Sequence, residues 1–232
     1  MSQNRLATAT RIDSNDLMLR AYPLARPRVR LYRQGYAFSK RCLDICLCLA
    51  IMPLVLPLLA ICALAIWLED ARPIVFTQLR TGQGGRRFRM YKFRTMLRQA
   101  EELKKTYAHL NELKWPDFKI TNDPRVTRVG RFLRKTSLDE LPQIFNVLKG
   151  EMSLVGPRPT SFAASTYELW QMERLEVLPG VTGLWQINGR SDLDFDRRLK
   201  LDIEYIENRS LWLDLRILAG TVTAVLRQRG AY

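Results

Sequence analysis

The chain has 232 residues, 47% of them hydrophobic, and a formal net charge of +14. That length supports one core of ordinary size with a membrane element beside it. The four cysteines, Cys42, Cys46, Cys48 and Cys62, all lie in or next to one apolar run, and the single histidine, His109, is remote in sequence. This excludes a disulfide scaffold and a zinc site, and the cysteines read as small apolar side chains.

Residues 1–39 form a basic segment, since 1–41 carry nine Lys/Arg against two Asp. Pro23 and Pro27 work against regular structure early in it, and 28–38 fits a short interfacial helix. From 45 to 68 the sequence ICLCLAIMPLVLPLLAICALAIWL holds no charge in 24 residues, beyond the ~18 that mark a membrane-helix candidate. It begins too far into the chain and runs too long for a cleaved signal peptide. A straight helix of this length measures about 36 Å, enough to cross a bilayer. Pro53 and Pro57, one turn apart near its middle, each remove a backbone donor and predict a bend. Both flanks are basic: Lys40 and Arg41 precede the run, and residues 71–96 carry seven Lys/Arg and no acid. Positive flanks favour the cytoplasmic side. A re-entrant helix over 40–70 satisfies both flanks; a spanning helix satisfies one. Beside a hydrophobic segment, anionic membrane lipids are a simpler partner for this charge than nucleic acid, and no nucleic-acid role is expected.

Residues 71–210 read as a small α/β body. Apolar stretches at 74–79 and 88–93 around Gly82-x-Gly84-Gly85 predict a hairpin with a glycine turn, not a nucleotide-binding loop. If strand alternation holds, Lys92 and Arg94 share a face, either toward solvent or lipid or toward a diphosphate. Residues 97–115 predict a helix ending before Pro116. Next, Ser137 followed by Glu140 spells a capping box, and Leu138, Leu141, Ile144, Phe145 and Leu148 form a helical stripe that Gly150 can end. Asp139 and Glu140 would then sit in a first turn, where they complement the helix dipole and cap it. Surrounded by Arg128, Arg131, Arg134 and Lys135, the same carboxylates also form a corner for metal and phosphate. Gly156-Pro157-Arg158-Pro159 holds one arginine in rigid backbone, suited to a bidentate phosphate contact or to a structural salt bridge. Residues 167–178 predict an amphipathic helix, and PGVTGLWQINGR a loop with a short strand. Asp192, Asp194 and Asp196 alternate before a helix through about Asn208, and helix capping is preferred over a metal site. The segment 211–232 is amphipathic; its apolar part at 211–226 either lies on the membrane surface or packs as a core helix.

KFRTM at 92–96, TSLDELPQIFNVLKGEMSLVGPRP at 136–159, PGVTGLWQINGR at 179–190 and LDIEYIENRSLWLDLRIL at 201–218 together resemble the bacterial sugar transferase family, the monotopic polyprenyl-phosphate phosphoglycosyl transferases. The likeness runs from about Lys40 to Tyr232 and looks strongest toward members that transfer galactose or glucose 1-phosphate. It implies a Pro-bent re-entrant membrane helix, interfacial amphipathic helices and a small cytosolic catalytic domain. The family's Lys-Arg-x-x-Asp helix start is matched by Lys40, Arg41 and Asp44. Its usual Ser-Pro bend is replaced by Met52-Pro53, which leaves the site of bending less defined.

The resemblance also implies a reaction. Asp139 would be the nucleophile on the sugar-bearing phosphate of a UDP-sugar, releasing UMP; undecaprenyl phosphate would then take the phosphosugar, beginning an exopolysaccharide or O-antigen repeat. Mg²⁺ at Asp139 is the implied cofactor, with Lys92, Arg94 and Arg158 on the phosphates. Glu140 would act as base or metal-positioning group, and Arg190 and Asp202 would lie near uridine or in the supporting network. The enzyme would work at the cytoplasmic face of the bacterial inner membrane. An N-acetylated amino-sugar donor is the alternative within this chemistry, and a non-catalytic basic membrane scaffold the alternative outside it. Oligomeric state is not legible, and a homodimer is left open.

Overall fold

A charge-free apolar run has nothing to end a helix, and here it continues into its polar flanks. The computed structural model describes residues 34–112, 120–188 and 193–226. Within them, helix α1 spans Gln34–Asp70, 37 residues, with Pro53 and Pro57 inside it. At 1.5 Å per residue it is roughly 55 Å long. It is the one described helix long and apolar enough to cross a membrane. The interfacial helix expected at 28–38 lies mostly outside the described residues.

One stripe of α1 is buried, at Asp44, Cys48, Val55, Cys62 and Ile66, while Leu49, Leu54, Ile61, Leu64 and Leu68 are exposed. Spacings of four and seven keep the buried set on one face. That face packs on the rest of the chain along most of its length. Cys48 and Val55 join a cluster with Phe88, Met90, Ile144, Val147 and Met152. Cys62 and Ile66 join one with Phe93 and Leu133.

The predicted hairpin forms. Strand β1 (Val75–Thr81) pairs antiparallel with β2 (Arg87–Phe93) across a turn in which Gly84 and Gly85 adopt positive φ of 62° and 77°. The helix expected at 97–115 does not. Among the described residues of that span, only the short helix α2 (Leu103–Thr106) and a 3₁₀ turn (Ala108–Leu110) are helical. No residue of either is buried, so tertiary packing does not support a longer helix. Residues 113–119 lie outside the described set.

Helix α3 (Arg128–Thr136) starts at Thr127, whose hydroxyl accepts from the Gly130 amide at 2.9 Å. The predicted Ser137–Glu140 capping box is absent. Ser137 instead ends α3 in a left-handed conformation (φ 59°), with no capping hydrogen bond from its side chain. Leu138–Glu140 is a 3₁₀ turn, and the following helix α4 covers only Gln143–Lys149, beginning after Pro142. Gly150 ends it at φ 83°, as expected.

Strand β3 (Ser153–Val155) pairs in parallel with β4 (Gly180–Thr182), the short strand expected in the glycine-rich loop. The segment Leu169–Glu176 is a 3₁₀ helix rather than the amphipathic α-helix expected; its start is tied by the Gln171 side chain, which accepts from the Glu168 amide at 3.0 Å. The short helix α5 covers Leu184–Ile187. Helix α6 (Phe195–Asn208) is capped by Asp194, whose carboxylate accepts from the Arg197 amide at 2.7 Å, in line with the capping reading of the aspartates. Asp192 lies outside the described residues.

Helix α7 (Leu211–Leu226) packs one face on the body, as the core-helix reading expects, and leaves a second apolar face exposed. Ile217 and Asp214 are buried, while Trp212, Leu215 and Val222 are exposed. The Asp214 carboxylate accepts from Tyr36 and Lys40 of α1, each at 3.0 Å, and from Tyr205 of α6 at 2.7 Å. This buried charge answers three donors and ties three helices together.

Candidate active site

Helix α4 is docked on the hairpin by one fully buried side chain. The Asn146 carboxamide accepts from the Tyr91 amide (3.0 Å) and donates to the Arg89 carbonyl (2.8 Å), so β2 and α4 hold a single register. Arg41 of α1 donates to the Val147 and Leu148 carbonyls (2.6 and 2.9 Å) at the C-terminus of α4, where a cation suits the helix dipole. This docking sets the 138–140 turn against β2.

Backbone contact brings in the other wall. A Cβ at Gly180 would lie 2.1 Å from the Gly156 amide nitrogen, and one at Gly183 would lie 2.5 Å from the Gly156 carbonyl oxygen. Only glycines allow the GPRP and PGVTG loops to approach this closely. Arg158 projects from the first loop toward the turn.

The result is a cleft of about 980 Å³ lined by Lys92, Arg94, Arg134, Asp139, Glu140 and Arg158, with apolar walls that include Ile51, Val55, Ile144 and Val225. It therefore reaches from the charged turn to the apolar faces of α1 and α7.

Glu140 is the electrostatic hub. Lys92 Nζ lies 2.7 Å from its Oε1, and Arg158 grips both of its oxygens, Nη1 at 3.1 Å from Oε2 and Nη2 on Oε1. Burial pushes the Glu140 carboxyl up, but Arg158 and Lys92 outweigh it and hold it well below the usual carboxylate range. Asp139 differs. Among the described residues its carboxylate has no hydrogen-bond partner, and it faces the cleft. Burial raises its pKa, Lys92 pulls it down, and the adjacent Glu140 charge pushes it up again, for a net rise. Two neighbouring carboxylates thus have opposite shifts, a pattern typical of divided roles.

The remaining expected residues separate. Arg94 lines the cleft, but it donates to the Asp70 carbonyl (2.8 Å) and pairs with its carboxylate (3.1 Å), capping the end of α1. Its Nη1 is buried without a partner among the described residues. Asp202 is not on the cleft wall. It is buried against Arg174 at 2.7 Å, and Arg174 in turn donates to the Arg158 carbonyl at 2.6 Å. Burial pushes the Asp202 carboxyl up to about 6 against the pull of Arg174 and Arg198. Arg190 lies outside the described residues. Of the four cations expected around the 138–140 turn, Arg128, Arg131 and Lys135 are exposed, and only Arg134 lines the cleft.

Two cleft or support residues were not singled out from sequence. Arg174 carried no signal, because its partners are 16 and 28 residues away. Arg80 did carry one: strand alternation places it, Gln78 and Phe76 on the same face as their register partners Phe88, Met90 and Lys92.

One carboxylate open to a cleft, with substrate phosphates and waters as further donors, is a normal Mg²⁺ environment. Asp139 fits it; Glu140, with both oxygens taken, does not. Among the described residues no group of three or more His, Cys, Asp or Glu is arranged as an all-protein metal cage.

Comparison with known proteins gives this geometry a context. The profile of the bacterial sugar transferase family matches residues 35–228. The galactosyl transferase CpsE of Streptococcus agalactiae is 43% identical over 217 residues, covering 90% of this chain and 47% of that protein. The undecaprenyl-phosphate galactose phosphotransferase of Salmonella typhimurium is 44% identical over 217 residues, with coverage of 90% and 45%. The UDP-N-acetylgalactosamine-undecaprenyl-phosphate N-acetylgalactosaminephosphotransferase of Aeromonas hydrophila is 42% identical over 204 residues, with coverage of 84% and 45%. The chain spans about half the length of these curated relatives.

Proposed function

The chain belongs to the bacterial sugar transferase family, and on that premise we propose that it transfers galactose or glucose 1-phosphate from a UDP-sugar to undecaprenyl phosphate, starting a polysaccharide repeat. The observation that carries this is the unequal pair: Glu140 saturated by Lys92 and Arg158, and Asp139 beside it with its carboxylate open to the cleft.

An Asp139 oxygen attacks the sugar-bearing phosphorus. The bond from that phosphorus to the bridging oxygen breaks, and UMP leaves with the electron pair. A phosphate oxygen of undecaprenyl phosphate then attacks the same phosphorus and displaces Asp139, giving a lipid-linked diphosphate sugar. Two displacements replace one, the advantage of a covalent intermediate. Lys92 and Arg158 hold Glu140 ionised and bring positive charge to the phosphates. Arg94 offers its unpartnered Nη1, and Arg174 with Asp202 fixes the Arg158 backbone. Asp139 would hold Mg²⁺, which would supply charge neutralisation on the diphosphate.

The acceptor's phosphate sits at headgroup depth, and α1 suits that placement. Arg41 and Asp44 near its start, and Glu69 and Asp70 at its end, all bind the same body. A bilayer-crossing helix would put these anchors on opposite faces, about 30 Å of hydrocarbon apart. This supports α1 entering and leaving one leaflet; the basic flanks and the soluble UDP-sugar donor proposed here favour the cytoplasmic face of the bacterial inner membrane.

The Aeromonas relative favours a second donor class, the N-acetylated amino sugars, at nearly equal identity. Detergent- or nanodisc-held protein, Mg²⁺ and undecaprenyl phosphate, given radiolabelled UDP-galactose, UDP-glucose or UDP-N-acetylgalactosamine, test both. UMP with labelled lipid from one donor names the sugar. No product from any of the three overturns the transferase reading.

A further inference from the structure

The cations lining the cleft are not equivalent. Lys92 and Arg158 have their charge answered by Glu140, and Arg94 by Asp70. Arg134 has Asp139 as its foremost charged neighbour and donates to the Thr95 hydroxyl at 2.9 Å. Arg80 stands apart. It is half-buried, lines the cleft and, among the described residues, makes no ion pair. Its contacts are to neutral acceptors, the Pro159 carbonyl at 3.4 Å and the Gln78 side chain. Its Nε is buried with no partner among the described residues. Its foremost charged neighbour has the same sign: it is Arg158, ahead of Glu140.

Two guanidiniums brought together out of water repel, and a buried donor left unmade costs free energy. Burial together with Arg158 pulls the Arg80 pKa down to about 10, so the fold works against this charge rather than using it. An arginine present only to support the Arg158 loop would need one carbonyl contact and no charge. Charge without an internal partner, spare N–H groups and a cleft position are what an incoming anion requires.

We propose that Arg80 is a substrate-binding residue that seats a phosphate group in the cleft together with Arg158. The anion's identity rests on the transferase reading: it is either the donor's diphosphate or the acceptor's lipid phosphate. The seat itself does not rest on it.

The test uses the whole protein in detergent, wild type, Arg80→Gln and Arg80→Lys, titrated calorimetrically with inorganic pyrophosphate, alongside thermal unfolding. Arg80→Gln is expected to weaken pyrophosphate binding tenfold or more at an unchanged unfolding midpoint, with Arg80→Lys recovering part of it. Pyrophosphate binding equal to wild type in Arg80→Gln, or no binding by wild type, overturns the proposal. Should Arg80→Gln not fold, Arg80→Lys decides, because the compact ammonium cannot reproduce the fork: a several-fold loss supports the seat and none overturns it. Steady-state kinetics then separate the sources. A raised KM for the UDP-sugar alone assigns the donor's diphosphate, and a raised KM for undecaprenyl phosphate alone assigns the lipid phosphate. A wild type inert toward every donor, yet losing pyrophosphate binding on Arg80→Gln, sinks the transferase reading and leaves the anion seat standing.

Discussion

Arg158 holds Glu140 by both carboxylate oxygens, one guanidinium nitrogen to each, and so leaves Asp139 as the carboxylate of the pair that is open to the cleft. The division of labour follows from charge. The clamped acid stays ionised and organises two cations, while the open acid keeps its oxygens free for the nucleophilic role proposed for it.

Glu140→Gln should therefore damage more than its own position. It leaves Lys92 and Arg158 without their counter-charge in a partly buried site. Removing one partner of a buried pair costs about 3 kcal/mol or more. The expected outcome is a lower unfolding midpoint and transfer activity reduced by two orders of magnitude or more. Lys92→Met, which removes one of the two cations, should cost less of both. Calorimetry and UMP release measure the pair of effects.

The same division sets the pH response. Asp139 titrates above its ordinary value, so the first half-reaction should weaken as pH falls through that raised pKa, before ordinary carboxylates protonate. Glu140 has a depressed pKa, so its stabilisation is fully present above the unfolded value of about 4.3. That stabilisation is lost as pH falls below it toward the folded pKa. Activity should accordingly fail at a higher pH than stability does. UMP release and unfolding midpoints taken over one acid series check the order.

Much of the architecture was legible where local rules act alone. The glycine turn between two apolar stretches, the helix stop at Gly150 and the Asp194 cap each depend on a few neighbouring residues, and each is found. The predicted capping box failed because Glu140 has a stronger engagement elsewhere: its partners Lys92 and Arg158 are 48 and 18 residues away, which spacing cannot reveal. Ser137, freed from capping α4, instead turns the chain at φ 59°. The Asp-Glu pair and its basic surroundings were visible, but not which acid would be clamped. Nor was it visible that Arg94 would also cap α1, or that Arg174 would brace the Arg158 loop.

The backbone contact between the GPRP and PGVTG loops predicts an intolerant glycine. At Gly180 a Cβ would meet the Gly156 amide nitrogen at 2.1 Å and the Thr182 carbonyl oxygen at 2.4 Å. Overpacking of this kind typically costs about 1–3 kcal/mol, occasionally more, and here it pushes on the loop that carries Arg158. Gly180→Ala should lower the unfolding midpoint and the activity together. Gly35→Ala, whose Cβ meets nothing within 4 Å, should leave both in place.

Asp214 makes a separable prediction about helices α1, α6 and α7. It accepts from Tyr36, Lys40 and Tyr205 while almost fully buried. Asp214→Ala strands the Lys40 ammonium and two hydroxyls, a loss on the order of 3–5 kcal/mol for a broken buried pair. Amide exchange of α7 should speed up sharply, and that of β1 and β2 much less. Equal acceleration throughout would mean that this network does not act locally.

The most direct test of the central claim is intact-protein mass spectrometry after incubation with Mg²⁺ and the preferred UDP-sugar, without acceptor. Wild type should gain one phosphohexose, lost again on adding undecaprenyl phosphate, and Asp139→Asn should gain none. Release of UMP by Asp139→Asn at the wild-type rate, or labelling of the protein at a residue other than Asp139, would contradict the account.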